Sequence, residues 1–325
     1  MSPTRPEAGP LIGGHVSTAG GLLNATANAQ RIGAEVIQIF PSNPRQWRSY
    51  PYTAEALRDF ARSLARHRLP LYVHTTYLLN LGSPDEGLRA RSAHSLAEAY
   101  RFAARCGAAA LITHVGSHHG AGTVAVAPRV VQTCIAARSE ARSLLERDKA
   151  AEDGRPSPGA TASGTHEPGM LQRFEELPLL METGAGSGRI IGTLEDLHLL
   201  LTLLDRAGVP CGICLDTAHL FAAGFPLHTT EGAETLLACL QVRQMLGRVG
   251  AVHLNDCETL LGSRRDRHAN LWEGRIGRVG LQAMLGQPAL RAVPFILEVP
   301  GFDGHGPDRR NLLRARRMRR AALGR

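Results

Sequence analysis

The sequence has little of what builds a secreted or membrane-spanning protein. Its 325 residues include only six cysteines, and their scatter forms no disulfide framework. The opening stretch MSPTRPEAGP has no apolar core of the kind found in a signal peptide. No run approaches the roughly 18 apolar residues that a membrane span requires. These absences favour a cytoplasmic protein that works in a reducing environment.

Two of the cysteines, Cys211 and Cys214, have the C-x-x-C spacing of zinc and redox sites. They fall in VPCGICLD, a stretch typical of a buried strand. Residues three apart on a strand face opposite sides, so these thiols are poorly placed to share one zinc ion. No second C-x-x-C pair occurs in the sequence. We therefore interpret both cysteines as packing residues of the core.

The common phosphate-binding motifs are also missing. GGHVSTAGG and GAGSGR both lack the G-x-G-x-x-G spacing, and no G-x-x-x-x-G-K-[ST] motif occurs. An open doubly wound sheet would want a glycine-rich phosphate turn after its first strand, so that fold is disfavoured. The sequence also lacks a Ser-His-Asp or reactive-cysteine signature, which argues against a side-chain nucleophile.

The charge balance is basic. Lys and Arg total 37 against 29 Asp and Glu, which gives a formal net charge of +8 and a pI of about 9.7. A basic surface suits a nucleic acid or another phosphate-bearing partner. An Arg-rich and Ala-rich composition can also reflect codon bias, so charge alone does not decide the partner.

A short apolar run followed by a longer helical pattern recurs along the chain. We predict eight strands, which begin at Leu11, Glu35, Leu69, Ala109, Leu177, Cys211, Gly250 and Pro294. Helical patterns include Ala54 to Arg68, Leu88 to Cys106, Leu194 to Ala207, Thr235 to Leu246 and the final 309–323. Eight alternating units with nearly continuous apolar strands predict an α/β fold, a closed (β/α)8 TIM barrel.

The prediction is a single domain. Residues 1–10 are expected to be a disordered N-terminal tail, and residues 11–325 to form the barrel. The stretch 147–169 is rich in Gly, Pro, Ala, Ser and charge, and it has no apolar period. We expect it to be a mobile insertion between the fourth helix and the fifth strand.

Ionisable residues stand where the predicted strands end. Imidazoles and carboxylates occupy these ends or the turns after them, at His74, His114, Glu182, Asp216, His219, His253, Asp266, His268 and Glu298. The carboxyl ends of barrel strands converge on one mouth, where catalytic groups cluster. Carboxylates at the ends of apolar strands are costly unless something compensates them, and a cluster of metal ions would compensate several together.

The donor types restrict the metal. Imidazole and carboxylate without thiolate suit zinc, manganese or iron, whereas magnesium prefers oxygen. Nine ligands are too many for one ion, and three ions with one bridging carboxylate would use them.

Each residue alone has a plainer explanation. A single histidine can be a hydrogen-bonded core residue, Asp216 with His219 can cap a helix start, and Asp266 with His268 can lie in a solvated loop.

The stretch RRDRH interleaves Asp266 and His268 with Arg264, Arg265 and Arg267. Alternation in an extended loop directs neighbouring side chains to opposite sides. We therefore expect Asp266 and His268 to face a metal ion while the arginines face the backbone of a polyanion.

A series of stretches carries a family resemblance. They are IGGHVSTAGGL, NPRQW, VHTTYLLNLGSP, THVGSH, METGAGSG, LDTAHLFAAGF, HLNDCETLLGSRRDRH, EGRIG and FILEVPG, in order from about residue 12 to 301. Together they resemble the endonuclease IV family of apurinic/apyrimidinic endonucleases. LDTAH and HLND…GS..DRH are highly specific, whereas GGHVS alone would not be. The tail, the 147–169 insertion and the basic C-terminus fall outside the resemblance.

The resemblance implies a TIM barrel with three zinc ions per chain, held by the nine residues at the strand ends. Glu182 would bridge two ions, and His219, Asp266 and His268 would hold the third. Clustered zinc lowers the pKa of a bridging water, and the resulting hydroxide would attack phosphorus in line. The residues expected to be catalytic through this metal-activated hydroxide are Glu182, Glu298, Asp216 and His253.

The resemblance also implies a reaction in base excision repair. The phosphodiester 5′ to an abasic site in duplex DNA would be cleaved, leaving a 3′ hydroxyl and a 5′ deoxyribose phosphate. An abasic nucleotide lacks pairing and stacking, so flipping it out of the duplex is cheap. The residues expected to contact DNA are Asn43, Arg45, Gln46, Tyr77, Leu78 and Arg267. Arg45 could instead form a surface salt bridge, and Tyr77 and Leu78 could be buried. We expect a monomer, without a membrane partner, that associates with the nucleoid through DNA.

Three positions depart from the family pattern. Thr183 stands where Asn is usual, Glu258 where Lys is usual, and Trp272 where Gly is common. None removes a ligand, but Glu258 and Trp272 put local substrate contacts in doubt. The main alternative is a metal-dependent sugar isomerase or epimerase of the same barrel type, which would use fewer ions. A protein that binds abasic DNA without cleaving it is a second alternative, and the complete ligand set speaks against it.

Overall fold

The strands follow the predicted apolar runs. The computed structural model describes residues 9–154 and 169–324. Its strands are β1 Ile12–His15, β2 Ile37–Ile39, β3 Leu71–His74, β4 Ala110–Thr113, β5 Leu179–Glu182, β6 Cys211–Asp216, β7 Val249–His253, β8 Asp256–Cys257, β9 His268–Ala269 and β10 Phe295–Leu297. Eight of them pair in parallel and close in the order β1-β10-β7-β6-β5-β4-β3-β2, while β8 and β9 form a small antiparallel pair. The predicted TIM barrel is confirmed.

The helices lie between the strands. They are α1 Leu22–Ile32, α2 Ala54–His67, α3 Glu86–Cys106, α4 Thr123–Asp153, α5 Met170–Glu176, α6 Leu194–Arg206, α7 Thr217–Ala223, α8 Thr230–Val242, α9 Gly277–Gly286 and α10 Arg309–Ala322. The helix predicted from Thr235 begins five residues earlier, because Thr229 Oγ1 accepts a hydrogen bond from the Gly232 N–H at 3.0 Å and caps the start. No helix in the described part of the chain is long and apolar enough to cross a membrane.

Two apolar layers stabilise the fold. One fills the inside of the barrel with Val36, Tyr72, Ala110, Ile112, Leu180, Cys214, Ala251 and Ile296. The larger layer lies between the strands and the surrounding helices, and Cys211 belongs to it. The two thiols of C-x-x-C therefore face opposite sides of β6, as predicted, and both are free, buried packing residues.

The first two strands pass very close to each other. A Cβ atom on Gly13 would lie 1.6 Å from the Val36 carbonyl oxygen. Only glycine tolerates this approach of two backbones. The same pair of strands aligns His15 with Gln38, whose amide reaches Glu298 and His253 near the mouth of the barrel.

The predicted insertion begins too early. Residues 147–153 continue α4, because the acidic side chains of this turn pair with arginines on α3. Arg101 Nη2 lies 2.6 Å from Asp148 Oδ1, and Arg105 Nη2 lies 3.0 Å from Glu152 Oε1. The remainder of the predicted insertion, 155–168, lies outside the described residues.

The predicted N-terminal tail reaches too far along the chain. Pro10 is buried, and its carbonyl accepts a hydrogen bond from Arg319 Nη1 at 2.8 Å. Residues 1–8 of the predicted tail lie outside the described residues. The barrel domain therefore includes Pro10, which packs beside the C-terminal helix α10.

Candidate metal centre

The nine predicted ligands surround one depression at the carboxyl ends of the strands, called the bowl below. The last residues of β3, β5, β6 and β7 are His74, Glu182, Asp216 and His253. His114 and Glu298 directly follow β4 and β10. Of the other three, His219 lies in α7, Asp266 precedes β9 and His268 begins it. Parallel strands that end at one rim bring together residues more than 200 positions apart.

Glu182 joins two groups of imidazoles. Its Oε2 atom lies 3.1 Å from His74 Nε2 and 3.5 Å from His114 Nε2. Its Oε1 atom lies 3.0 Å from His253 Nδ1. One buried carboxylate therefore presents a separate oxygen to each group, which is the geometry that a bridging ligand requires.

His253 Nδ1 is the meeting point of three carboxylates. It lies 3.0 Å from Glu182 Oε1, 3.2 Å from Glu298 Oε2 and 3.8 Å from Asp216 Oδ2. His253 and Asp216 are fully buried. The donor atoms of these four residues lie within 4.8 Å of one another, close enough to share one cation.

A third group forms around Asp266. Its Oδ2 atom lies 3.2 Å from His219 Nε2, and its Oδ1 atom lies 3.2 Å from His268 Nε2. Asp216 Oδ2 lies 3.5 Å from the same His268 nitrogen. The side chain of Asp266 is 55 % exposed, which agrees with the alternative that this residue lies in a solvated loop. Its carboxylate nevertheless faces the bowl.

Asp216 has two structural roles. Its Oδ1 atom accepts a hydrogen bond from the His219 N–H at 2.8 Å and caps the start of α7. Its Oδ2 atom accepts from Asn255 Nδ2 at 2.7 Å and faces His268. The capping explanation is therefore correct for one oxygen, and the other oxygen remains available as a ligand.

The charges of the bowl depend on one another. Burial raises the pKa of Glu182, but nearby imidazoles, first His114 and His253, outweigh it and hold this pKa well below its usual range. Burial lowers the pKa of His268, but Asp216 and Asp266 raise it to about 9. The carboxylates and some of the imidazoles thus stabilise each other's charged forms, and divalent cations would compensate the same carboxylates.

The donor set fits divalent cations. Within residues 9–154 and 169–324, the ion-pair partners of Glu182, Asp216, Asp266 and Glu298 are all imidazoles, never Lys or Arg. His268 Nε2 is buried and makes no hydrogen bond of good geometry, although carboxylate oxygens lie 3.2 and 3.5 Å away. A buried nitrogen among carboxylates is an arrangement that a metal ion satisfies.

Sequence reasoning missed the polar residues that hold these ligands. Asn255 donates to Asp216 Oδ2 and accepts from the Glu298 N–H at 2.8 Å. Gln38 donates to Glu298 Oε1 at 2.6 Å, and His15 Nδ1 lies 3.6 Å from the same oxygen. The available signals were a glutamine inside the apolar run EVIQIF and an Asn-Asp pair at the end of β7.

Comparison with known proteins decides the family. Residues 26–321 match the family described as Xylose isomerase-like TIM barrel. A probable endonuclease 4 from Nitratidesulfovibrio vulgaris (strain DP4) is 33 % identical over 310 residues, which cover 95 % of this chain and 99 % of that protein. The crystal structure of endonuclease IV from Thermus thermophilus matches with a TM-score of 0.73 and 32 % identity over 97 % of this chain and 99 % of the other. The chain belongs to the endonuclease IV family.

Sugar-converting enzymes share only the fold with this endonuclease IV family member. A D-tagatose 3-epimerase-like protein matches with a TM-score of 0.61 but is 16 % identical. A likeness at that identity supports the barrel architecture and nothing about the chemistry. The two relatives described above, at 33 % and 32 % identity, are instead named endonucleases.

Two loops that the family resemblance assigned to DNA flank the bowl. Asn43, Arg45 and Gln46 are exposed on the loop after β2. Tyr77, after β3, is 52 % exposed, and its N–H donates to the Pro44 carbonyl at 3.0 Å, which ties the loops together. Its ring centroid lies 5.8 Å from that of His74. Leu78 is half-buried, and Arg45 forms no ion pair with any described residue, so the salt-bridge alternative is not supported.

Two of the three positions that depart from the endonuclease IV pattern support the local structure or depend on it. Thr183 Oγ1 accepts the Asp216 N–H at 2.9 Å and so supports a ligand. Trp272 has a φ of 73°, a conformation that favours glycine, the residue common at this position. Glu258 is exposed, and its N–H donates to the carbonyl of Arg267, which is itself exposed.

Proposed function

We propose that this chain is a zinc-dependent DNA repair endonuclease. It cleaves the phosphodiester 5′ to abasic sites in duplex DNA and leaves a 3′ hydroxyl and a 5′ deoxyribose phosphate. The observation that carries the proposal is the convergence of imidazoles and carboxylates in one bowl, beside exposed loops that bear Arg45 and Tyr77. Relatives named endonuclease support DNA as the substrate.

Three groups of donors would hold three zinc ions. The first is His74, His114 and Glu182, the second is Glu182, Asp216, His253 and Glu298, and the third is His219, Asp266 and His268. When bound, the ions supply Lewis acidity toward phosphate oxygens and a water of lowered pKa. Glu182 sets the spacing between the first two positions because its two oxygens face different groups. Glu298 and Asp216 reach the second position beside His253.

The surroundings of the bowl would position the DNA. The bowl itself is rich in carboxylates, whereas Arg264, Arg265 and Arg267 are exposed at its edge. These arginines would attract the phosphate backbone while the carboxylates bind cations. Tyr77 and Arg45 would contact the duplex where the abasic nucleotide has left the helix. Because an abasic sugar has no base to unstack, it enters the bowl at less cost than an intact nucleotide.

Nicking of a defined duplex tests this proposal. The substrate carries one abasic-site analogue, and the protein is assayed before and after prolonged chelation, and again after zinc is restored. We expect a single cut 5′ to the analogue that disappears on chelation and returns with zinc. Glu182→Gln should abolish the cut, because it removes the shared carboxylate. Glu146→Gln, which changes an exposed glutamate on α4, is the matched control and should cut normally.

Elemental analysis and light scattering complete the test. We expect three zinc ions per chain and a monomer of about 34.9 kDa. Three ions without cleavage of abasic DNA would contradict the proposed substrate and would lead to a screen of sugar phosphates. One ion per chain with sugar epimerase activity would instead support the alternative chemistry.

A further inference from the structure

Gln38 occupies an unusual place for an amide side chain. It is the middle residue of β2, it is 0 % exposed, and its neighbours Ile37 and Ile39 are fully buried. A buried amide is costly unless both its oxygen and its nitrogen are hydrogen-bonded. Gln38 lies outside every stretch that carried the family resemblance, so its role follows from its contacts alone.

The hydrogen bonds of Gln38 define the orientation of its amide. Nε2 donates to Glu298 Oε1 at 2.6 Å and lies 3.0 Å from His15 Nδ1. A carboxylate oxygen can only accept a hydrogen bond, so the nitrogen of the amide must be the atom that faces Glu298. The amide oxygen then faces His253 Nε2 at 2.8 Å, and this nitrogen must carry a hydrogen.

One side chain thus orients two candidate ligands. With its hydrogen fixed on Nε2, a neutral His253 would present the lone pair of Nδ1 to a cation, at the atom that lies 3.0 Å from Glu182 and 3.2 Å from Glu298. The bond to Glu298 Oε1 likewise leaves Oε2 turned toward His253. We propose that Gln38 is a positioning residue that sets the tautomer of His253 and the rotation of Glu298 for one shared cation. The inference rests on the proposed function in that it takes the second donor group to hold zinc.

The other donor groups are oriented differently. His74 Nδ1 donates to the Thr75 carbonyl at 2.8 Å, and His219 Nδ1 donates to the Thr183 carbonyl at 2.8 Å. The main chain therefore positions these imidazoles, whereas a side chain positions His253. Loss of the Gln38 amide should weaken the second cation position and leave the first and third intact.

Two variants and a control separate positioning from general stability. Gln38→Met keeps the length of the side chain and removes both hydrogen bonds. Gln38→Glu keeps an acceptor for His253 and removes the donor to Glu298. Thr133→Val removes a buried hydroxyl that donates to the Leu81 carbonyl at 2.9 Å and serves as the control. Stepwise zinc affinities are measured by competition with a chelator, and NMR of the ring nitrogens reports the His253 tautomer in zinc-loaded protein.

In Gln38→Met we expect one of the three zinc affinities to fall by roughly 10- to 100-fold, the range found when an outer hydrogen-bond partner of a ligand is removed. The hydrogen-bonded Nε2–H signal of His253 should be lost in Gln38→Met and retained in Gln38→Glu. Thr133→Val should keep all three affinities. Unchanged affinities and an unchanged His253 signal in Gln38→Met would overturn the proposal.

Two further outcomes are informative. If Gln38→Met does not fold, an altered affinity at one position only in Gln38→Glu supports the proposal, and three unaltered affinities overturn it. Wild-type protein that binds three zinc ions but does not cut abasic DNA contradicts the proposed function alone. Wild-type protein that binds no zinc contradicts both.

Discussion

Asp256 fastens the segment that carries two of the candidate ligands. Its buried carboxylate accepts hydrogen bonds from the backbone N–H groups of Cys257 at 2.9 Å, Trp272 at 3.0 Å, Ile276 at 3.0 Å and Gly277 at 3.1 Å. These bonds join β8 to the loop that precedes α9 and to the first residue of α9. Removal of the carboxylate should therefore loosen the rim of the bowl.

The size of the effect follows from the number of donors. A net contribution of about 1 kcal/mol for each hydrogen bond makes Asp256→Ala destabilising by about 4 kcal/mol, a large share of the roughly 5–15 kcal/mol that stabilises a protein. Asp256→Asn can keep Oδ1, which binds three of the donors, and loses only the bond to Trp272. Burial also raises the pKa of Asp256, so the neutral amide of asparagine avoids the free-energy cost of burying a charged carboxylate. We expect Asn to cost about 1 kcal/mol, the value of one bond.

Urea unfolding followed by circular dichroism, on metal-free protein at pH 7, measures these differences. Asp303→Ala is the control. Among the described residues, Asp303 Oδ1 accepts a single hydrogen bond, from the His305 N–H at 3.0 Å in an exposed turn, so this change should alter stability by less than about 0.5 kcal/mol. Cys257, next to Asp256 in β8, pairs with the candidate ligand His268 in β9. Loosening of β8 in Asp256→Ala should therefore also lower the zinc content. An Asp256→Ala protein within about 1 kcal/mol of wild type would refute the reasoning, since it would mean that water replaces all four bonds without loss.

Three other perturbations have definite expected results. Arg267→Ala should weaken binding to abasic DNA and reduce the slope of its salt dependence by about one phosphate contact, with zinc content unchanged; loss of zinc in elemental analysis would contradict the division of roles in RRDRH. Trp272→Gly relieves the strain of a positive φ, worth about 1–2 kcal/mol. It also loses the contact of the indole N–H with Met318 Sδ at 3.1 Å and the packing of a half-buried aromatic ring. Because the lost packing is worth more than the strain, calorimetry should show a lower Tm, and a higher Tm would show that strain dominates. Glu35→Gln should be less stable than wild type at neutral pH, because Arg319 and the Ile12 N–H outweigh the effect of burial and lower the pKa of Glu35. The stabilisation by the Glu35 carboxylate is present above the usual pKa of 4.5 and is lost as pH falls. The unfolding free energies of the two proteins should therefore converge in acid, and a constant difference would contradict the linkage.

The strand ends were predictable from local sequence because each combines an apolar run with one ionisable residue at its end. LPLYVHT, LPLLME and CGICLD correspond to β3, β5 and β6, and their last ionisable residues are His74, Glu182 and Asp216. A buried parallel strand has to be apolar on both faces, so a charge can stand only where the strand leaves the sheet. This constraint acts within a few residues, and a single sequence therefore reveals it.

The boundaries of α4 and α8 were not predictable in the same way. Residues 147–153 resemble a charged linker, yet they are helical because Asp148 and Glu152 meet Arg101 and Arg105 on α3. The start of α8 depends on the Thr229 cap, which precedes the apolar period. In both cases the stabilising partner lies beyond the local apolar pattern.

Sequence by itself determined the eightfold alternation of strands and helices, the family, and the identity of the nine candidate ligands, because these depend on residue type and local order. Only the tertiary structure decided that Glu182 faces two groups with separate oxygens, and that Gln38 bonds to His253, 215 positions away, and to Glu298, 260 positions away. Such contacts arise when the barrel closes and brings strand ends to one rim. The direction of a hydrogen bond between distant side chains is a property of that closure and has no local signal in the chain.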